Sequence, residues 1–275
     1  MTEMIGAPQE TLDLFRLNGR VAIVTGAAGL LGEQHSFALS DAGAHVVLAD
    51  RKLGPCVERA AVLQEKTGVE TLAVECDVTN PSDWAKLLDT TRTRFGRVDI
   101  LVNNAAFTTE SRSANYDAPF EKFPLEDWNQ ILAVNLTGVF LGCQVVGAAM
   151  LQQRSGSIVN MGSMYAVVSP NHVMYPGTGI AQPPAYSVSK AGVVALTRYL
   201  GTLWAPHGVR VNALTPGGVF NGHSATFTER FDRLNPMARM ALPHEMRGAL
   251  LYLASDASSH CTAHNLVVDG GWTAW

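Results

Sequence analysis

The chain has 275 residues, of which 47% are hydrophobic and 16% charged, and its formal net charge is −4. That balance belongs to a packed globular enzyme rather than to a disordered or fibrous chain. The 20 Lys and Arg residues are scattered, so no basic stripe exists to neutralise a nucleic-acid backbone or an anionic membrane, and neither is an expected partner.

In chain order, residues 1–17 precede the first strand signal and are expected to form a surface arm. Apolar, β-branched runs follow at 21–24, 45–49, 71–75, 100–102, 157–161, 210–214 and 266–268. Most are apolar on consecutive positions, as strands buried on both faces are. They alternate with longer helix-like stretches, notably 125–150 and 185–204, and Thr79-Asn80-Pro81 reads as a cap followed by a helix start. The pattern predicts an α/β fold: a doubly wound, Rossmann-type parallel sheet of seven strands with helices on both faces. No linker or repeat divides residues 18–275, which are expected to form one domain holding both the cofactor and the catalytic sites.

The first chemical signal follows the first strand, in Thr25-Gly26-Ala27-Ala28-Gly29-Leu30-Leu31-Gly32. Small residues let the backbone turn tightly and approach a pyrophosphate, which then rests on free N–H groups at a helix start, here those near Leu30 and Leu31. Alone, the same glycines would serve a plain strand-to-helix turn. Asp50 strengthens the cofactor reading, because it stands at the end of the second strand, 18 positions after Gly32, where a carboxylate accepts from ribose hydroxyls and repels a 2′-phosphate. NAD is therefore expected over NADP, although Arg51 follows at once and could partner a 2′-phosphate. Asp77, with Val78 beside it, either accepts from an adenine amino group or caps the turn near Thr79.

The second signal is Tyr186-Ser187-Val188-Ser189-Lys190. Residues four apart share a helical face, so the Lys190 ammonium can stand near the phenol and a cofactor ribose. A free phenol titrates near ~10, and a neighbouring cation brings it toward the working range of a base. By itself a YxxxK is a common solvated helix pair. Taken in order with the glycine turn, Asp77, Asn103-Asn104-Ala105-Ala106, Asn135, Ser163, Pro216-Gly217 and Val268-Asp269-Gly270-Gly271, it resembles the short-chain dehydrogenase/reductase family over about 17–272. The resemblance implies that Tyr186 exchanges the hydroxyl proton and that Lys190 lowers its pKa and binds the nicotinamide ribose. It further implies that Ser163 holds the substrate oxygen and Asn135 anchors a relay water. Asn104, Ala105 and Ala106 would lie along the adenosine side, and Pro216, Gly217 and Val219 by the nicotinamide.

Three departures from the family pattern stand out. The glycines are spaced GxxGxxG, with Leu30 where the middle glycine usually falls, which is treated as a variant turn. Ser163 and Tyr186 are 23 positions apart, more than is usual, and the extra segment is rich in Pro and Gly, so it is expected to be a loop walling the substrate pocket. Tyr175 in that loop rivals Tyr186 by proximity to Ser163 but has Gly179, not lysine, four residues on. The usual threonine after the proline-glycine turn is replaced by Val219-Phe220-Asn221. Ser163, Tyr165, Tyr186, Gly218, Phe220 and His223 are the candidate substrate contacts. Arg230, Arg233 and Arg239 beyond them read either as a solvated helix face or as contacts to a polar, even anionic, substrate. A second polar insert, 108–121 with Arg112, is placed at the same pocket.

The expected activity is hydride transfer between NAD(H) and a secondary alcohol or ketone on a sugar-like or hydroxy-acid substrate. The pattern also resembles sugar-pathway members of the family. The alternative from another class is an NAD-retaining sugar epimerase or dehydratase, suggested by the glycine spacing. A non-catalytic NAD-binding protein has no need of Asn135, Ser163, Tyr186 and Lys190 together. His260 and His264 flank a turn without a carboxylate partner, so no metal is expected. The four cysteines form no CxxC, as suits reduced thiols. No apolar run is read as long enough to cross a bilayer, no leader pattern opens the chain, and a cytoplasmic location is expected. The family resemblance implies a homotetramer or dimer built on the two long helices.

Overall fold

A computed structural model describes residues 10–107 and 116–275. Its centre is a parallel sheet of β1 (Val21–Thr25), β2 (His45–Asp50), β3 (Thr71–Glu75), β4 (Ile100–Asn103), β5 (Gly156–Met161), β6 (Val209–Pro216) and β7 (Asn265–Val268). The order is β3-β2-β1-β4-β5-β6-β7. Every predicted strand is present, most of them longer than expected by a residue or two. The chain reverses its direction of winding between β1 and β4, which opens a crevice at the carboxyl ends of those strands, where doubly wound sheets take their ligands.

Each sheet face buries its own core. On one side Ile23, Val47, Leu101 and Ile158 pack against Trp84 of α3 (Pro81–Phe95), Val146 and Met150 of α5 (Gly138–Gln153) and Val193 of α6 (Pro184–Trp204). On the other, Val24, Val46, Leu48 and Val102 meet Leu39 of α1 (Leu30–Asp41), Leu63 of α2 (Leu53–Thr67) and Leu250 and Leu253 of α8 (Met246–Ala254). Local chemistry sets the ends. The Asn80 side chain accepts from the Ser82 amide and Pro81 opens α3, while Gly96 (φ 78°) ends it in the left-handed conformation.

Two expectations change here. The stretch read as one helix over 125–150 is α4 (Leu125–Leu132), a π-helical turn (Ala133–Thr137) and α5. By length and apolar composition this continuous Leu125–Gln153 helix would pass for a membrane span, contrary to the reading that no run is long enough. Half of its most apolar stretch is buried, and it packs against α3, α6, β4 and β5 as a core helix does. The arm boundary also shifts. Leu17 is fully buried and donates its N–H to the Ala42 carbonyl (2.8 Å), so it belongs to the core; residues 1–9 of the arm lie outside the described residues.

Candidate active site

The crevice begins at the turn between β1 and α1. Gly26 adopts φ +62°, and a Cβ there would lie 2.7 Å from the Ala105 Cα. At Gly32 a Cβ would lie 2.2 Å from the Gly26 carbonyl oxygen and 2.7 Å from the Ala27 Cα. Gly29 is under less constraint, its nearest contact being 3.2 Å. It is the N-cap of α1, without a side-chain cap. The variant spacing thus keeps the two glycines that sterics demand, while Leu30 opens the helix. The first amides of α1 lack intrahelical acceptors and face an end that favours anions.

Neighbours fix this turn in place. Asn104 donates to the carbonyls of Thr25 (2.9 Å) and Gly26 (3.1 Å), and the Asn104 and Ala105 amides both donate to the Thr25 hydroxyl (3.1 Å each). Asp50 Oδ2 accepts from the Ala28 amide (3.1 Å) and its Oδ1 from the Lys52 amide (3.0 Å). Arg59, which the sequence did not single out, reaches from α2 to the carbonyls of Ala27 (2.5 Å) and Gly29 (3.0 Å). Asp77 Oδ1 accepts from the amide and hydroxyl of Thr79 (2.9 and 2.8 Å), while the helix cap is Asn80. Val78 is buried beside Gly138. At the other side Pro216 ends β6, and a Cβ on Gly217 would lie 2.6 Å from the Asp269 Cα. Glycine turn, uncapped helix start and ordered carboxylate together fit a dinucleotide.

The predicted catalytic residues converge at the carboxyl end of β5. Ser163 follows that strand, and its hydroxyl accepts from the Tyr165 amide (3.2 Å). Tyr186 stands in the first turn of α6 with Lys190 one turn on. Burial raises the pKa of the Tyr186 phenol, and the Ser163 hydroxyl beside it works in the opposite direction. Lys190 is 3% exposed. It donates from Nζ to the Met161 carbonyl (2.8 Å) and lies 5.8 Å from the Tyr186 ring centroid. Burial lowers its pKa from 10.5 to about 8. The sequence reading gave Lys190 the task of lowering the phenol's pKa; here the ammonium lies by the ring and Ser163 opposes the burial.

Asn135 is fully buried on the π-helical turn, a form that recurs at functional sites. Its Oδ1 accepts from the Phe107 amide (2.7 Å) and its Nδ2 donates to Ser189 Oγ (3.2 Å), which donates to the Tyr186 carbonyl (2.7 Å). The side chain implied as a water anchor is thus engaged in ordering the first turn of α6. Ser189 was missed, although a hydroxyl three positions after Tyr186 is the only signal it carries.

Beside Tyr186 lies an aromatic assembly. The loop over 164–183 contains two short 3-10 turns, Met164–Ala166 and His172–Met174. The hydroxyls of Tyr165 and Tyr175 are hydrogen-bonded to each other. From α7 (Ala225–Leu234), Phe231 stacks on Trp272 at 4.7 Å and Phe227 on His223 at 5.1 Å. Phe231 also fills the space that a Cβ on Gly218 would need. Val219 pairs with Ala241, and Phe220 donates its N–H to the Ala241 carbonyl (2.8 Å). Much of the loop from Ser169 onward, His172, Tyr175 and Gln182 included, lines a cavity of about 800 Å³ together with Tyr116, Asp117, Ala118 and Phe120. The described part of the second insert therefore meets the loop as expected; Arg112 lies outside the described residues.

Two of the three arginines behave differently from the anion-binding reading, while Arg233 is exposed on α7. Arg230 donates to the carbonyls of Met174 (3.0 Å) and Pro176 (2.7 Å), and Arg239 forms two bonds with Glu245 (2.7 and 2.6 Å). Both are committed within the protein. The first clamps the loop to α7.

Comparison with known proteins agrees with this geometry. Residues 26–273 match a family model described as enoyl-(acyl carrier protein) reductase. The chain is 38% identical to D-threitol dehydrogenase of Mycolicibacterium smegmatis, over 94% of this chain and 95% of that one. It is 32% identical to the NAD-dependent glycerol dehydrogenase of Listeria innocua (94% and 96% covered) and 33% identical to the NADP-dependent mannitol dehydrogenase of Alternaria alternata (98% of each). The crystal structure of a short-chain type dehydrogenase/reductase from Mycobacterium marinum superposes with a TM-score of 0.85 at 34% identity, covering 96% of this chain and 99% of that one. With motifs in order, the sheet topology and full-length similarity in agreement, the chain belongs to the short-chain dehydrogenase/reductase family and is a nicotinamide-dependent oxidoreductase acting on CH–OH groups.

Proposed function

We propose that the protein is an NAD-dependent dehydrogenase of a neutral polyol or sugar, interconverting a secondary alcohol and its ketone. The observation that carries the substrate class is the commitment of Arg230 and Arg239 to partners within the protein, while the Ser163 hydroxyl stands beside the Tyr186 phenol and Tyr165 is hydrogen-bonded to Tyr175. These two guanidiniums are therefore not offered to a substrate carboxylate, which favours uncharged hydroxyls as the groups recognised. The polyol names of similar proteins support the reading, and none of those named above is an epimerase or dehydratase. For the cofactor, Asp50 is held at the end of β2 by the Ala28 and Lys52 amides, where a carboxylate would meet the ribose and disfavour a 2′-phosphate. Similar proteins include both NAD- and NADP-dependent enzymes, so the carboxylate is the argument for NAD.

The bound nicotinamide supplies or accepts the hydride. The chain supplies position and a proton. Ser163 holds the reacting oxygen, Tyr186 exchanges the hydroxyl proton, and Lys190, anchored on the Met161 carbonyl, keeps a cation beside the ring. Because burial raises the Tyr186 pKa, the phenol form needed for ketone reduction dominates at neutral pH. Alcohol oxidation, which needs the phenolate, should rise as the pH becomes alkaline.

The test follows NADH and NADPH absorbance across polyols, sugars, hydroxy acids and simple alcohols, for the wild type and Tyr186→Phe. Polyol turnover with NAD, lowered about a thousandfold in the variant, is expected. Turnover that survives Tyr186→Phe, or that is confined to hydroxy acids, would overturn the reading.

A further inference from the structure

The cavity between the 116–120 segment and the long loop is larger than oxidation of a small alcohol requires. Its volume of about 800 Å³ is that of a pocket enclosing a drug-sized molecule. Neither Ser163 nor Tyr186 lines it. It begins beside them, at Ser187 and at Tyr175, whose hydroxyl is bonded to that of Tyr165 two positions after Ser163. A short alcohol held by Ser163 and Tyr186 would leave this space unfilled.

The polar side chains of the loop fall into two groups. Asn171 accepts from the Val173 amide (3.3 Å) and Thr178 donates to the Tyr175 carbonyl (2.7 Å), so both hold turns of the loop, and neither lines the cavity. Ser169, His172, Gln182 and Ser187 do line it, and among the described residues none of these four side chains has a hydrogen-bond partner in the protein. Gln182 and Ser187 are half-buried. Hydroxyl, amide and neutral imidazole groups each donate and accept, which matches a ligand whose own groups are hydroxyls. Charge narrows the choice further. Among the described residues no Lys or Arg lines the cavity, and Asp117, exposed at its rim, is its one acidic group. A phosphate or carboxylate there would meet a like charge and no cation. The rings of Phe120 and Tyr175 add the apolar surface on which C–H groups pack. Arg230 fixes that wall by binding the carbonyls on either side of Tyr175, those of Met174 and Pro176.

We propose that this cavity is a distal subsite for an uncharged, polyhydroxylated extension of the substrate, either a further sugar unit or the far end of a long polyol. The assignment rests on the dehydrogenase reading above and deepens it. Ser163 and Tyr186 take the reacting oxygen, and Gln182 and Ser187, nearest to Tyr186 in the chain, take hydroxyls of the extension. The long loop thereby sets the length and charge of the substrate, while the reaction itself stays with the residues around Tyr186.

The test measures kcat/KM with NAD and NADP for threitol and erythritol, sorbitol and mannitol, maltitol, and sorbitol 6-phosphate. It uses the wild type, Gln182→Ala, and Ala181→Phe, which puts a ring into the cavity, each checked by thermal melting. In the wild type the best longer polyol should exceed the better four-carbon one at least about tenfold, as the added hydrogen bonds require. Maltitol above sorbitol would identify a further sugar unit, and the reverse order a long chain. Sorbitol 6-phosphate should be at least about tenfold poorer than sorbitol. In both variants the preference for the longer substrates should shrink at least about threefold, through KM rather than kcat. Four-carbon polyols matching the longer ones in the wild type, a phosphate ester turned over as well as sorbitol, or an unchanged preference in either folded variant would overturn the inference and leave the dehydrogenase reading intact. A wild type that turns over no polyol or sugar with either cofactor would remove both.

Discussion

At the β1–α1 turn, the backbone packs on backbone: Gly32 on the Gly26 carbonyl, Gly26 on Ala105, and Asn104 laced to both strand ends. At the other end of the crevice, between β5 and α6, side chains pack on side chains, with Tyr165, Tyr175, Phe227, Phe231 and Trp272 forming the wall. The first region admits almost no change, because two main chains a few ångströms apart have nothing flexible to yield. The second is a set of exchangeable rings behind a fixed Ser163 and Tyr186. A family can therefore keep one cofactor end and vary its substrates at the other.

The sharpest way to break that contrast is a methyl group in each region. Gly32→Ala should cost about 3 kcal/mol and weaken dinucleotide binding, since the new carbon meets two backbone atoms. Gly179→Ala in the loop, with φ +69° and open space around it, should cost only about 1 kcal/mol. Denaturant titration of both variants decides it; equal losses would show that the loop is as tightly constrained as the turn.

Acid stability probes the cofactor end from beneath. His35 of α1 is fully buried, and neither of its ring nitrogens has a hydrogen-bond partner of normal geometry among the described residues. Burial lowers its pKa from 6.5 to about 3, against a smaller opposing effect of Asn104. Between those values the unfolded chain takes up a proton that the folded chain does not, so stability is full above pH 6.5 and is lost as the pH falls toward 3. His35→Leu should retain about 2 kcal/mol more of its neutral-pH stability than the wild type at pH 5. Parallel pH dependences in the two proteins would refute the assignment.

The smallest effect belongs to the clamp. Arg230→Ala frees the Met174 and Pro176 carbonyls and should raise the polyol KM several-fold while costing about 1 kcal/mol in stability. Steady-state kinetics would contradict this if kcat fell and KM did not, because the loop would then be positioning the reacting centre itself.

Much of this was legible in the residues. Seven apolar runs mark the seven strands because strands buried on both faces have no polar side to hide. Gly26, Gly32, Asp50, Ser163, Tyr186 and Lys190 could be placed because each answers a local requirement of turn, strand end or helical face. Other features depend on partners far away in sequence. The π-helical turn at Asn135 shows no local signature, and its Asn135 is explained only by Phe107 and Ser189. Arg59 reads as an ordinary helix residue until α2 lies beside the glycine turn.

The sequence by itself thus determined the sheet, the glycine turn and the pairing of Tyr186 with Lys190 on one helical face, because periodicity, glycine sterics and an i, i+4 spacing are properties of short segments. Tertiary structure alone decided the surroundings that set their chemistry. It placed Lys190 on the Met161 carbonyl, committed Arg230 and Arg239 to partners within the protein, and joined Tyr165 to Tyr175. The physical reason is that a hydrogen bond or an ion pair is fixed by distance in space, and a folded chain brings together residues whose separation along the sequence says nothing of it.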